Sequence, residues 1–207
     1  MSAHCCHHDA ATEGATRDPR YRRVLWAALA VNAAMFAVEI AGGLASGSVS
    51  LLADAVDFAG DAANYGLSLA VLSLSLAWRA RAALVEAASM GLFGVAVLGR
   101  AGWQALHGVP PEPLTMGAIG ALALAANVGV AIALYAWRDG DANMRSVWLC
   151  TRNDAIGNVA VMAAALGVFG TGAAWPDLAV AALMATLALA ASLSVLRQAR
   201  GELAHAH

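Results

Sequence analysis

The stretch Ser48–Gly66, SVSLLADAVDFAGDAANYG, places three carboxylates inside a run whose other residues are suited to a membrane. Asp54, Asp57 and Asp61 are three and four residues apart, so on a helix they lie along one face. An acid at membrane depth is costly unless a cation, a proton or water compensates its charge. The alternative, a short soluble helix capped by these acids, is disfavoured by the length of the apolar flanks. The stretch therefore predicts a membrane helix with an acidic face that a cation, a proton or water compensates.

The composition extends this prediction to the whole chain. Of 207 residues, 60% are hydrophobic and 13% are charged, and the mean hydropathy is +0.65. About twenty apolar residues cross a bilayer as a helix, so the long apolar segments predict an all-α membrane protein, a bundle of six transmembrane helices. The predicted crossings are residues 21–43, 49–78, 82–106, 114–137, 144–169 and 178–196. They form one transmembrane domain over residues 21–200, between a flexible tail at 1–20 and a short tail at 201–207.

The basic residues predict the orientation of this bundle. All 12 are arginine, and with the N-terminus in the cytoplasm most of them lie at the cytoplasmic ends of the crossings, namely Arg17, Arg20, Arg22, Arg23, Arg79, Arg81, Arg138, Arg145, Arg197 and Arg200. Only Arg100 falls towards the outside, which agrees with the excess of basic residues in cytoplasmic loops. We therefore expect both termini in the cytoplasm and a multi-pass protein of the cell (inner) membrane. No basic patch suited to nucleic acid is present.

A second polar pair lies in the fifth crossing. Cys150 and Asp154 are four residues apart, the same spacing as Asp57 and Asp61, and counting from the helix ends places both pairs near the midplane. Because the two helices run in opposite directions, we expect Asp61 level with Cys150 and Asp57 level with Asp154. Three carboxylates and one thiolate form a four-ligand set for a tetrahedral cation such as Zn²⁺. The sulfur favours such an ion over Mg²⁺ or Ca²⁺.

With these motifs the sequence resembles the cation diffusion facilitators, proton-coupled exporters of divalent transition metals, from about Arg22 to Arg197. The residues that carry the resemblance are Asn32, Phe36, Glu39, Gly42-Gly43, Ser48-Val-Ser-Leu-Leu-Ala-Asp-Ala, Asn127, Asp154-Ala-Ile-Gly-Asn and Trp175-Pro-Asp177. The family's transport site is [HD]-x-x-x-D in the second crossing and H-x-x-x-D in the fifth. These positions fall on Asp57 and Asp61, and on Cys150 and Asp154.

The resemblance implies a secondary active transporter that exports a divalent cation in exchange for protons, by alternating access around a midplane site. Zn²⁺ is the foremost substrate it implies, with Cd²⁺, Co²⁺, Ni²⁺ and Fe²⁺ as others. Protons compete with the metal for the same carboxylates, so the two fluxes are expected to be coupled. We expect no catalytic cofactor and no enzyme activity, and a homodimer in the lipid bilayer.

The sequence also departs from the family pattern. Cys150 stands where the family usually has histidine, so we expect this residue to set the metal preference. The chain ends soon after the sixth crossing, which predicts a form without the family's cytoplasmic metal-binding domain. Two alternatives therefore stay open, a membrane-embedded metalloenzyme and a metal sensor or partner subunit that does not transport.

Other polar residues in the crossings have several possible roles. We expect Asp54, one turn from Asp57, to have an entry or structural role rather than to bind the ion directly. Asn127 and Asn158 either hydrogen-bond between helices or support the ligands. Glu39 is expected to pair with a basic or polar group.

For two further features, the sequence leaves two roles open with equal weight. Arg152 lies between the two predicted ligands of the fifth crossing, where its charge would repel a cation unless the side chain points away. It either pairs with Glu86 or reaches a water-filled cavity. The cluster His4–Asp9 in the N-terminal tail either holds a soft metal and delivers it to the site, or has no role in transport.

Overall fold

Six long helices make up the described part of the fold. The structure is a computed structural model that describes residues 19–70, 76–137 and 142–205, and within these ranges it contains no strand. The helices are α1 (Pro19–Ser46), α2 (Val49–Ala70), α3 (Leu76–His107), α4 (Pro113–Leu134), α5 (Ala142–Thr171) and α6 (Trp175–His205), with a 3₁₀ turn at Tyr135–Trp137 after α4. The tail at 1–18, with its cluster His4–Asp9, lies outside the described residues.

Glycine residues or a capping acid form the sharp turns after α1, α3 and α5. Gly47 and Gly172 adopt positive φ angles of 74° and 62° after α1 and α5, a conformation that glycine tolerates best. Glu112 caps α4, because its carboxylate accepts hydrogen bonds from the N–H groups of Leu114 and Thr115. Bonds from Thr115 and Leu114 lower the pKa of the Glu112 carboxyl. These short turns make α1 and α2, and likewise α5 and α6, antiparallel neighbours.

Hydrogen bonds hold the first two of these turns together at one end of the bundle, which we call the turn end. The N–H of Glu112 donates to the carbonyl of Ser46 at 2.8 Å, and Gln104 donates from Nε2 to the carbonyl of Gly47 at 2.8 Å. The opposite end, the terminal end, therefore holds the start of α1 and the last residues of α6. This arrangement agrees with an even number of crossings and with both termini on one side.

Asp177 brings the third turn to the same end and clasps α2 to α6. Its side chain is fully buried and accepts four hydrogen bonds. Oδ1 accepts from the hydroxyls of Ser48 and Ser50 at 2.6 and 2.7 Å and from the N–H of Ser50 at 3.1 Å, and Oδ2 accepts from the N–H of Val49 at 2.8 Å. The carboxylate thus satisfies two free N–H groups at the start of α2, which no intrahelical acceptor reaches.

Helix α2 is the central helix, because it contacts all five others. Around it, α1 packs along α2, α3 along α6 and α4 along α5. The close approach of α1 to α4 and α2 depends on two glycines. A Cβ at Gly42 would collide with Ile119 of α4, and a Cβ at Gly43 would collide with Leu52 of α2. The central position of α2 encloses its acidic face within the bundle.

The lengths of the helices suit a membrane. The shortest, α2 and α4, have 22 residues each, or about 33 Å at 1.5 Å per residue, which spans the hydrocarbon layer. By length and composition, four helices within the described part of the chain are apolar enough to cross a membrane, namely α1, α4, α5 and α6. Helix α2 differs because it carries three aspartates. The chain is a multi-pass membrane protein with a helical bundle, as predicted.

One predicted boundary is wrong. The second crossing was expected to continue to residue 78, but α2 is described to Ala70 and Leu76 already belongs to α3. The sixth crossing, expected to end at residue 196, agrees with the apolar span Trp175–Arg197, and α6 continues beyond this span to His205. An unbroken apolar or helix-forming sequence does not mark where a helix leaves the membrane.

Candidate metal-binding site

The acidic face of α2 lies inside the bundle. Asp54 and Asp61 are buried, with 1% and 6% of their surface exposed, and Asp57 between them is half-buried. The i, i+3 and i+4 spacing places the three acids on one side of the helix, as expected. Asp57 consequently lies within the electrostatic influence of two like charges, those of Asp54 and Asp61. Such a concentration of negative charge favours a cation.

Helices α2 and α5 meet at Asp61. The carboxyl groups of Asp61 and Asp154 are close enough to share a hydrogen bond, and the hydroxyls of Tyr65 and Thr151 are 2.7 Å apart. The expectation that Asp61 is level with Cys150 is therefore wrong by about one helical turn. The expected register was counted from predicted helix ends, whereas the contact between Tyr65 and Thr151 sets the observed one.

The other two predicted ligands flank this contact. Cys150 is a buried thiol on α5, four residues before Asp154, and Asp57 lies four residues before Asp61 on α2. Within the described residues, no three His, Cys, Asp or Glu side chains converge closely enough to hold a metal ion. The structure thus brings Asp61 and Asp154 together and leaves Asp57 and Cys150 about one turn to either side.

A second pair of acids lies between α1 and α2. Glu39 is fully buried and faces Asp54, so of the basic or polar partners expected from the sequence it has a polar one, which is also acidic. Both carboxylate oxygens of Glu39 and Oδ2 of Asp54 lack a hydrogen-bond donor among the described residues. Carboxylates accept hydrogen bonds and cannot donate them, so each leaves the other unsatisfied unless a proton or a cation lies between them.

The nearby amides connect α4 to α5. Asn127 donates from Nδ2 to Oδ1 of Asn158 at 3.2 Å, and both side chains are buried. Of the two roles considered for these residues, the structure places them in an interhelical hydrogen bond. Arg152 is exposed and lies over the ring of Trp148, with its guanidinium carbon 5.4 Å from the ring centroid. Its charge is thereby held outside the bundle, away from the acids.

Sequence reasoning missed three residues at the site and its support. Tyr65 donates a hydrogen bond to Oδ2 of Asp61 at 3.1 Å, and Thr151 contacts the Tyr65 hydroxyl. The spacing of Tyr65, four residues after Asp61, was the available signal. Asp177 was named only within the motif Trp175-Pro-Asp177, and nothing in the sequence indicates that it reaches the start of α2.

Comparisons with known proteins agree with the motifs. A family model described as the cation efflux transmembrane domain matches residues 25–204. Zinc transporter ZitB of Escherichia coli (strain K12) is 27% identical over 203 residues, which cover 90% of this chain and 63% of that protein. Zinc transporter ZitB of Shigella flexneri matches with the same identity and coverage. The chain thus spans less than two thirds of the length of these relatives.

Proposed function

The chain belongs to the cation efflux family, and on this premise we propose that it exports a divalent transition-metal cation from the cytoplasm in exchange for protons. Zn²⁺ is the proposed substrate, because the relatives named above are zinc transporters and because three carboxylates with one thiolate suit zinc. Cd²⁺, Co²⁺, Ni²⁺ and Fe²⁺ are the competing ions. The proposed location is the inner membrane, with the terminal end towards the cytoplasm.

The observation that carries this proposal is the meeting of α2 and α5 at the carboxyl groups of Asp61 and Asp154. We propose that these two acids bind the ion first. Asp57 and Cys150 then complete the coordination shell of the ion after their side chains rotate. A transport site benefits from ligands that are not fully converged, since a substrate must leave the site as well as enter it. Two-step capture also fits alternating access, in which ligands close around the ion as the helices move.

The same contact supports exchange with protons. Two carboxyl groups share a hydrogen bond only when a proton lies between them, and a metal ion would occupy the same place. Metal and proton therefore exclude each other at Asp61 and Asp154, so that binding of one releases the other. This competition couples the fluxes without a separate proton site.

A buried apolar cluster separates the acids from the terminal end. It consists of Tyr21, Leu25, Ala28, Tyr65, Val130 and Leu134, and we call it the Tyr65 cluster. Its members come from the start of α1, the end of α2 and the end of α4. We propose that this cluster closes the cytoplasmic access to the site and that inward opening separates its members.

Zinc flux into proteoliposomes tests the proposal. With protein reconstituted and an outward proton gradient imposed, we expect zinc uptake several-fold above that of protein-free liposomes. We also expect alkalinisation of the lumen, which a trapped pH dye reports, as internal protons leave in exchange for zinc. A protonophore that dissipates the gradient should remove the stimulation.

The competing functions give different results in the same vesicles. A metalloenzyme or a sensor binds zinc at the membrane but does not move it into the lumen. The fluorescence of a zinc indicator trapped in the lumen would then not change. Zinc uptake with no change in luminal pH would support metal transport but contradict the proposed exchange with protons.

A further inference from the structure

A hydrogen-bonded chain of three side chains connects α5 to the acidic face of α2. The hydroxyls of Thr151 and Tyr65 are 2.7 Å apart, and the Tyr65 hydroxyl lies 3.1 Å from Oδ2 of Asp61. Thr151 and Tyr65 are 0% and 1% exposed, and Asp61 is 6% exposed. The chain is thus enclosed on all sides and has one acidic end, at Asp61.

The chemistry of the groups fixes the direction of these bonds when Asp61 is ionised. A carboxylate only accepts hydrogen bonds, and a phenol has a single hydrogen to donate, so Tyr65 donates to Asp61. The Tyr65 oxygen is then an acceptor, and the Thr151 hydroxyl donates to it. Each bond polarises the next, which strengthens the bond that reaches the carboxylate.

We infer that Tyr65 is a positioning residue that occupies Oδ2 of Asp61, leaves Oδ1 for the metal, and thereby selects small tetrahedral cations such as Zn²⁺. The inference rests on the proposed function. Zinc accepts a carboxylate through one oxygen in a four-coordinate site. Larger, oxygen-preferring ions take six or more ligands and commonly use both oxygens of a carboxylate. A carboxylate whose second oxygen is held by Tyr65 offers them one ligand fewer.

The position of Thr151 adds a second effect. Thr151 is fully buried and next to Cys150 in the chain. Its contact with Tyr65 therefore fixes the register of α5 along α2 at the level of the proposed ligands. The ring of Tyr65 has a separate structural role, since it packs in the Tyr65 cluster. Removing the hydroxyl alone keeps that packing and separates positioning from stability.

The test compares zinc with manganese on wild type and on Tyr65→Phe, by competitive uptake in proteoliposomes and by equilibrium binding in detergent. Manganese is the probe because it prefers octahedral oxygen sites. We expect Tyr65→Phe to reduce the preference for zinc over manganese about tenfold, the effect of losing one hydrogen bond to a charged group. Thr151→Val should shift the preference in the same direction and by less, whereas Thr151→Ser, which keeps the hydroxyl, should match wild type.

Tyr135→Phe is the matched control, since it removes a phenolic hydroxyl from an exposed tyrosine outside the site. Melting temperatures of all variants should lie close to that of wild type. If wild type transports zinc and Tyr65→Phe retains the wild-type preference, the positioning role is wrong and the proposed function stands. Failure of wild type to bind or transport either ion would overturn the proposed function and this inference together.

Discussion

Replacement of Asp177 by alanine is expected to destabilise the protein by about 3–5 kcal/mol. The substitution leaves four buried donors, two hydroxyls and two N–H groups, without their acceptor. A hydrogen bond to a charged group contributes roughly 1.5–3 kcal/mol, and neighbouring bonds do not add in full. The carboxylate also stands at the start of α2 and in the first turn of α6, where negative charge is favourable.

Thermal unfolding in detergent measures this loss, which corresponds to a decrease in Tm of roughly 10 °C for a chain of this length. Asp177→Asn should lose less stability, because the amide oxygen still accepts hydrogen bonds from Ser48 and Ser50. It should still lose some, because the amide nitrogen cannot accept from the N–H of Val49. Ser89→Ala is the control, since it removes an exposed hydroxyl bonded only within its own helix. A Tm for Asp177→Ala within about 2 °C of wild type would mean that the clasp does not stabilise the fold.

Loss of any one proposed carboxylate ligand, by Asp57→Ala, Asp61→Ala or Asp154→Ala, is expected to reduce zinc flux at least about 100-fold. Removing one partner from a buried charge pair costs roughly 3–5 kcal/mol, and each 1.4 kcal/mol is tenfold in affinity. Asp61→Ala and Asp154→Ala should be the most severe, because these two acids are in contact. Proteoliposome uptake at fixed protein density provides the measurement.

Glu112→Gln serves as the matched control for removing one acid, because Glu112 is an exposed cap at the turn end. It should transport zinc like wild type. Circular dichroism and gel filtration of each variant establish that the helices still form and assemble. Wild-type flux through Asp61→Ala or Asp154→Ala would show that the ion does not pass through this site.

The number and order of the helices were predictable because each depends on local sequence. Apolar runs of membrane-spanning length predict the helices, and Gly47, Gly172 and the segment before Glu112 predict the turns. The acids on one face of α2 followed from their spacing alone. Family membership likewise rested on short motifs, and the match over residues 25–204 confirms it.

The register between helices and the long-range contacts were not predictable. Whether Asp61 meets Cys150 or Asp154 depends on how α2 and α5 pack, and the apolar faces that decide packing admit several registers one turn apart. Asp177 and Ser48 are 129 residues apart in the chain, and nothing local to either residue indicates their contact. The ligand set of Asp57, Asp61, Cys150 and Asp154 therefore remains a proposal from the sequence.

X-ray absorption at the zinc edge tests this ligand set most directly. Changing Cys5 and Cys6 to serine leaves Cys150 as the sole cysteine, so any sulfur bound to zinc identifies it. We predict one sulfur at about 2.3 Å and three oxygens at about 2.0–2.2 Å, and loss of the sulfur signal in Cys150→Ser. A zinc shell of oxygen and nitrogen alone in the protein that retains Cys150 would contradict the proposed site.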